Sequence, residues 1–171
     1  MANLLYDTAA VHEALDRMAA TLAAHSDNIC LLGILNGGAA VADALQQRLE
    51  ASGHSVERGN LDISFYRDDL DTIGPNPEVG PSDIPFDISE KDIWLVDDVL
   101  YTGRTIRAAL GDIFDYGRPA TIRLAVLLDR GGRELPISAD LTGLRHEAPA
   151  GISVKLIHDD EDWHIEQRRV K

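Results

Sequence analysis

An α/β fold, with a mostly parallel central sheet flanked by helices, is predicted by three features of this 171-residue chain. Residues 29–35 and 93–96 are continuous apolar runs rather than alternating ones, the pattern of strands buried on both faces. Each run stops at a polar or glycine-rich turn and is followed by a segment of helical apolar spacing. Strand-like and helix-like segments then alternate along the chain, as βαβ units do. The length predicts a single domain spanning residues 1–171. A chain of this size buries roughly 70% of its unfolded surface, enough for one core.

Asp7 and Thr8 are placed to cap a helix over residues 9–25, with Val11, Leu15, Met18 and Leu22 on one face. The run at 29–35 is the next strand, and Asn36-Gly37-Gly38 breaks it. Residues 39–49 read as a helix with Val41, Ala44, Leu45 and Leu49 inward. Leu61, Ile63 and Phe65 alternate, predicting a strand over 60–66. Residues 67–90 lack a sustained period and are rich in Asp, Gly and Pro, as expected of a mobile lid. The run at 93–96 is a strand, and residues 105–116 are its helix, stopped by Gly117-Arg118-Pro119. Residues 121–128 and 151–157 complete the predicted strands.

Apolar residues make up 44% of the chain and charged residues 26%, which is ordinary for a soluble globular protein. No apolar run approaches the ~20 residues that span a bilayer, and the first residues lack a signal-peptide pattern. The single cysteine, Cys30, leaves no disulfide framework and reads as a core residue, so a cytoplasmic location is expected. The net charge of −13 is uneven: residues 57–100 carry 12 acidic and 3 basic groups, whereas residues 101–171 carry 11 of each. An acidic block of this kind repels nucleic acid and draws divalent cations. The acidic run Asp159-Asp160-Glu161-Asp162 reads as a solvated turn. The histidines show no ligand spacing, and none pairs with a serine or with Cys30 for nucleophilic chemistry.

The richest segment is Ile93-Trp94-Leu95-Val96-Asp97-Asp98-Val99-Leu100-Tyr101-Thr102-Gly103-Arg104-Thr105. An apolar strand ends in two carboxylates, a hydroxyl-and-glycine loop follows, and a helix begins. Ligands of parallel α/β sheets bind at such strand-to-helix turns. Backbone N–H groups and the helix dipole favour a phosphate there. Asp97 and Asp98 add acceptors suited to vicinal hydroxyls, so the segment describes a site for a ribose 5-phosphate. The GxxxxGK[ST] loop of ATP-hydrolysing P-loop proteins is absent.

This segment resembles the 5-phosphoribosyl-1-pyrophosphate (PRPP) motif of type I phosphoribosyltransferases: four apolar residues, two acidic, two apolar and a phosphate loop. Gly33 to Gly38 stands at the position of that family's pyrophosphate-binding loop. Two further segments, Ser64 to Leu70 and Leu124 to Asp140, are similar to the pyrimidine-operon regulators that are also uracil phosphoribosyltransferases, and Tyr101 agrees with them. The resemblance implies a type I phosphoribosyltransferase-like fold with a small hood, about residues 133–150, and a flexible catalytic loop, about 67–90. It implies that PRPP is held by Asp97, Asp98, Val99, Leu100, Tyr101, Thr102, Gly103, Arg104 and Thr105. Asp97 and Asp98 would take Mg2+ directly or through water. Pyrophosphate would lie on Leu35, Asn36, Gly37 and Gly38, with a cis peptide between Leu35 and Asn36. Arg67 would neutralise pyrophosphate as it leaves, and Ala139, Asp140 and Leu141 would contact the base.

The implied reaction joins uracil to PRPP and yields UMP and pyrophosphate, in a homodimer or homotetramer. A purine enzyme of the hypoxanthine type is the alternative base reading, because Leu35-Asn36-Gly37-Gly38 is similar to the Leu-Lys-Gly-Gly of those proteins. Their Asp at the Tyr101 position acts on the purine ring, which a phenol of pKa ~10 does not do at neutral pH. A non-catalytic RNA-binding attenuation regulator is the other alternative. RNA binding relies on Lys and Arg, and this chain has His12, Glu13, Gly37, Gly132 and Ser138 where the resemblance implies basic residues. Arg130, Arg133, Arg145, Arg168, Arg169 and Lys171 remain, expected as a scattered solvated surface.

Overall fold

The computed structural model describes residues 1–63 and 82–170. Its elements are β1 (Ala2–Tyr6), α1 (Thr8–His25), β2 (Asn28–Ile34), α2 (Gly37–Ala51), β3 (Ser55–Leu61) and β4 (Asp92–Leu100). They continue with α3 (Arg104–Tyr116), β5 (Thr121–Asp129), β6 (Leu141–Arg145), β7 (Ile152–His158) and β8 (Trp163–Arg169). A five-stranded parallel sheet runs in the order β3-β2-β4-β5-β6, and a three-stranded antiparallel sheet runs β1-β8-β7.

Apolar residues on both faces of β2, β4 and β5 account for two cores. Ile29, Leu31, Trp94, Val96 and Leu127 pack with Leu15, Met18, Leu45 and Leu49 of α1 and α2. Cys30, Leu32, Ile93, Leu95 and Val126 pack with Ile106, Ala109 and Ile113 of α3. Helices therefore cover opposite faces, and the chain leaves β2 and β4 in opposite directions across the sheet. The crevice between those two strand ends is where such folds bind ligands. Burial and a hydrogen bond to Glu57 push the Cys30 thiol up to about 12, so it is an inert core group.

Several elements differ from the sequence reading. The strand expected over 60–66 corresponds to β3, which begins five residues earlier on a polar sheet edge and ends at Leu61; residues 64–66 lie outside the described residues. Residues 82–90, expected in the loop, pack on the core: Asp83 pairs with Asn60, and Ile84, Phe86 and the buried Ile88 cover Leu61 and Ile113. The rest of that expected loop, with Arg67, lies outside the described residues. The hood expected at 133–150 is not the second layer. Its residues 141–145 form β6 of the main sheet, and the small sheet comes from β1, β7 and β8. β7 matches the strand expected at 151–157, but its one partner, β8, is antiparallel. The acidic run is the turn between β7 and β8, closed by Asp159 N–H donating to Asp162 O at 3.1 Å.

Candidate active site

Asp97 and Asp98 end the straight part of β4, and the loop after β2 comes directly against them. A Cβ on Gly37 would sit 2.0 Å from Asp98 Oδ2, and one on Gly38 would sit 2.5 Å from the Val96 carbonyl oxygen. Both glycines are therefore required by close approach. The Leu35–Asn36 peptide beside them is cis. Asp98 N–H donates to Asp97 Oδ1 at 2.9 Å, and Val99 N–H donates to Asp98 Oδ1 at 2.8 Å. Each carboxylate is thus oriented by a backbone N–H.

Helices α2 and α3 both begin at this crevice, and neither N-cap residue gives a side-chain hydrogen bond to the first turn. Helix α1 begins elsewhere and is capped by Asp7, whose carboxylate accepts from Ala10 N–H at 2.9 Å. The two helix starts beside the aspartates therefore turn their positive dipole ends to the crevice; the Asp98 carboxylate lies against Gly37 at the start of α2, and Thr102 Oγ1 accepts from Arg104 N–H at 3.2 Å at the start of α3. Gly103, at φ 93°, makes the turn that a side chain would oppose. Glu134 N–H and Leu135 N–H donate to the Thr102 carbonyl at 3.0 and 3.1 Å, which ties residues 134 and 135 to the β4–α3 turn.

A cleft of about 920 Å³ opens above these groups. One wall is the β4–α3 turn, from Asp97 to Thr105 without Arg104, whose guanidinium pairs with Glu134 at 2.8 Å. The other wall is the start of β7, with Arg130 at the base and Arg168 and Arg169 at the rim. β7 is an end strand. Val170 N–H donates to Gly151 O at 2.8 Å, so residues 151, 153 and 155 direct their backbone groups at β8. Ile152, Val154 and Leu156 then direct theirs toward the open edge.

The phosphoribosyl transferase domain matches residues 2–164. The chain is 46% identical over 158 residues to the bifunctional protein PyrR of Geobacter sulfurreducens, covering 90% of this chain and 88% of that one. It is 50% identical over 130 residues to the bifunctional protein PyrR of Nitrosococcus oceani, covering 76% and 73%. The chain belongs to the PyrR-like phosphoribosyltransferases. Its fold is also that of the hypoxanthine phosphoribosyltransferase of Trypanosoma cruzi, with a TM-score of 0.71 at 18% identity and 95% of each chain covered.

In this PyrR-like phosphoribosyltransferase Gly37 and Gly38 of the expected pyrophosphate turn lie against Asp98 and Asp97 of the expected PRPP segment, whereas the cleft itself is lined by that segment, apart from Arg104, and not by residues 35–38. Ala139, Asp140 and Leu141 do not join them. They lie at the start of β6, where Asp140 accepts from Leu124 N–H at 2.8 Å and Leu141 pairs with Ala125, one step below the aspartates. The cleft residues that sequence reasoning missed are the start of β7, residues 168–170 and Arg130. Arg130, expected on a solvated surface, is only 4% exposed. The signal available was its place at the end of an apolar strand and before two glycines.

Asp129, at the end of β5, braces the turn over the phosphate loop. Its carboxylate accepts two bonds from Arg133 at 2.8 Å and one from Gly131 N–H at 3.0 Å, with Arg145 at 3.7 Å. Burial pushes this carboxyl up, but those hydrogen bonds and cations outweigh it and hold its pKa below the usual value of 3.8. A lowered pKa means stability that is present above 3.8 and lost as pH falls through the folded value. The Tm gap between wild type and Asp129→Asn should therefore be widest at neutral pH and narrow below 3.8. A gap that stays constant down to pH 2 contradicts this.

Proposed function

We propose that this PyrR-like protein transfers the phosphoribosyl group of PRPP to uracil, releasing UMP and pyrophosphate. The observation that supports the reading is the meeting of two backbone-oriented carboxylates with the starts of two helices whose N-cap residues, Asn36 and Gly103, give no side-chain hydrogen bond. That combination fits a sugar diol flanked by two phosphate groups. Asp97 and Asp98 bind the ribose hydroxyls, and backbone N–H groups with the hydroxyls of Thr102 and Thr105 bind the 5-phosphate. The turn at Asn36, Gly37 and Gly38 receives the pyrophosphate, and Arg67 neutralises it on departure.

Uracil is favoured over a purine by Tyr101, which offers a phenol where the purine enzymes use a carboxylate. The open edge of β7 supplies alternating N–H and C=O groups, which suit the amide-like edge of a pyrimidine. The base therefore lies between that edge and the β4–α3 turn. Positioning of the ring nitrogen over the anomeric carbon does most of the work, since the protein forms no bond itself.

Mg2+ fits the donor set, because hard dications take carboxylate oxygens together with substrate phosphates. Among the described residues, no three His, Cys, Asp or Glu side chains converge to hold a metal by themselves. Asp97 and Asp98 would hold the ion directly or through water, and its shell would be completed by PRPP. When bound, it offsets negative charge on the leaving pyrophosphate.

The test is pyrophosphate release from PRPP and Mg2+ with uracil, hypoxanthine, guanine, orotate or no base. Release with uracil alone is expected. Release with a purine reassigns the base, and PRPP binding without release under any condition makes the protein a sensor.

A further inference from the structure

Three buried polar or charged side chains stand out among the described residues: Asp97, Thr102 and Arg130. All three line the cleft. The first two belong to the PRPP segment, whereas Arg130 has no assigned task. Its cation has no carboxylate partner among the described residues, so the usual compensation for burying a charge is missing. The surroundings supply another kind. The guanidinium carbon lies 3.8 Å from the centroid of the Tyr101 ring, a cation–π stack. Nη1 donates to the Ile152 carbonyl at 2.6 Å, and Nη2 donates to the Ala148 carbonyl at 3.3 Å.

These contacts join the two walls of the cleft. Tyr101 belongs to the phosphate loop, and it is fixed from the same turn that carries Arg130. Arg133 donates to its carbonyl at 2.5 Å. A Cβ on Gly132 would come 2.6 Å from the Tyr101 ring, so only glycine lets the ring lie flat there. Ile152 opens β7, the facing wall. The backbone repeats the connection: Arg130 N–H donates to Leu100 O and Ala148 N–H donates to Arg130 O, both at 3.1 Å.

We propose that Arg130 is a positioning residue that spaces the base-side wall from the phosphate loop, so that a nucleotide seated by its phosphate meets β7 in register. This deepens the reading under Proposed function and rests on it. Lysine cannot replace it, because an ammonium lacks the planar fork that stacks on a ring while donating in its own plane.

The test is calorimetric binding of UMP, GMP and ribose 5-phosphate to the wild-type protein and to Arg130→Met and Arg130→Lys. Ribose 5-phosphate reports the phosphate loop alone, and the nucleotide's advantage over it reports the β7 wall. In the wild type UMP should outbind both other ligands. In Arg130→Met that advantage should fall about tenfold, as expected for losing hydrogen bonds from a charged donor, with ribose 5-phosphate affinity unchanged. Arg130→Lys should recover only part of it. A variant that keeps the full nucleotide advantage overturns the proposal, as does an equal loss for nucleotide and ribose 5-phosphate, which marks Arg130 as structural. A wild type that prefers GMP refutes the uracil reading instead, and the same ratio taken with GMP still judges Arg130.

Discussion

Gly37→Ala should abolish most activity while leaving the fold intact, and Gly38→Ala should do the reverse in its first effect. The two glycines are neighbours at the start of α2, yet an added methyl would strike different things. At Gly37 it would sit 2.0 Å from Asp98 Oδ2, the end of a side chain that can rotate away. The protein survives the rotation, but the carboxylate no longer faces the crevice. Misplacing a binding group by about 1 Å costs on the order of 100-fold in rate, and that loss is expected in kcat/KM. At Gly38 the methyl would sit 2.5 Å from the Val96 carbonyl in the middle of the sheet. Backbone there moves only with the ladder, so overpacking should cost about 1–3 kcal/mol of stability. Pyrophosphate release and thermal unfolding, measured on both variants, separate the two effects. Equal destabilisation with equal loss of activity would refute the distinction.

Asp98→Asn should weaken PRPP binding without unfolding the protein. Asn keeps the oxygen that accepts from Val99 N–H at 2.8 Å, so the local backbone bond survives. The other oxygen becomes an NH2 group, which cannot accept from a ribose hydroxyl and brings no charge for a dication. Losing one or two charge-assisted hydrogen bonds is worth about 2–5 kcal/mol, which is roughly 30-fold to several thousand-fold in PRPP affinity. Asp97 is a poorer choice for this experiment. It is 3% exposed, so altering it disturbs the core as well. Calorimetric titration of PRPP with Mg2+, beside a Tm for each protein, gives the answer. An Asp98→Asn protein that loses stability and binding together would make Asp98 a structural residue.

The strands and turns that were legible in sequence share one property: their environment is written locally. β2 and β4 are buried on both faces, so their apolar runs announce them, and a pair of carboxylates closing such a run has few structural uses. Residues 84–88 carried an apolar alternation too, but the Asp, Gly and Pro around it concealed its packing. β8 could not be read, because Trp163-His164-Ile165-Glu166-Gln167-Arg168-Arg169 has one fully buried residue, Ile165. Its strand character comes from pairing on both sides with β1 and β7. Arg130 was opaque for a different reason. Its place between an apolar strand and two glycines was the one local signal, and its burial is completed by Tyr101 and Ile152 approaching from distant parts of the chain.

The open edge of β7 divides the molecule's tolerance for change. Every strand that holds the aspartates is hemmed in by neighbours: β4 by β2 and β5, and β2 by β3 and β4. A substitution there is transmitted through shared ladders to Asp97, Asp98 and the turns beside them. β7 has a single neighbour, and it meets the cleft with the side that pairs with nothing in the sheet. Residues on that side can be exchanged while the ladder of the main sheet stays as it was. A lineage can therefore change what faces the cleft from β7 while the strands of the main sheet stand still.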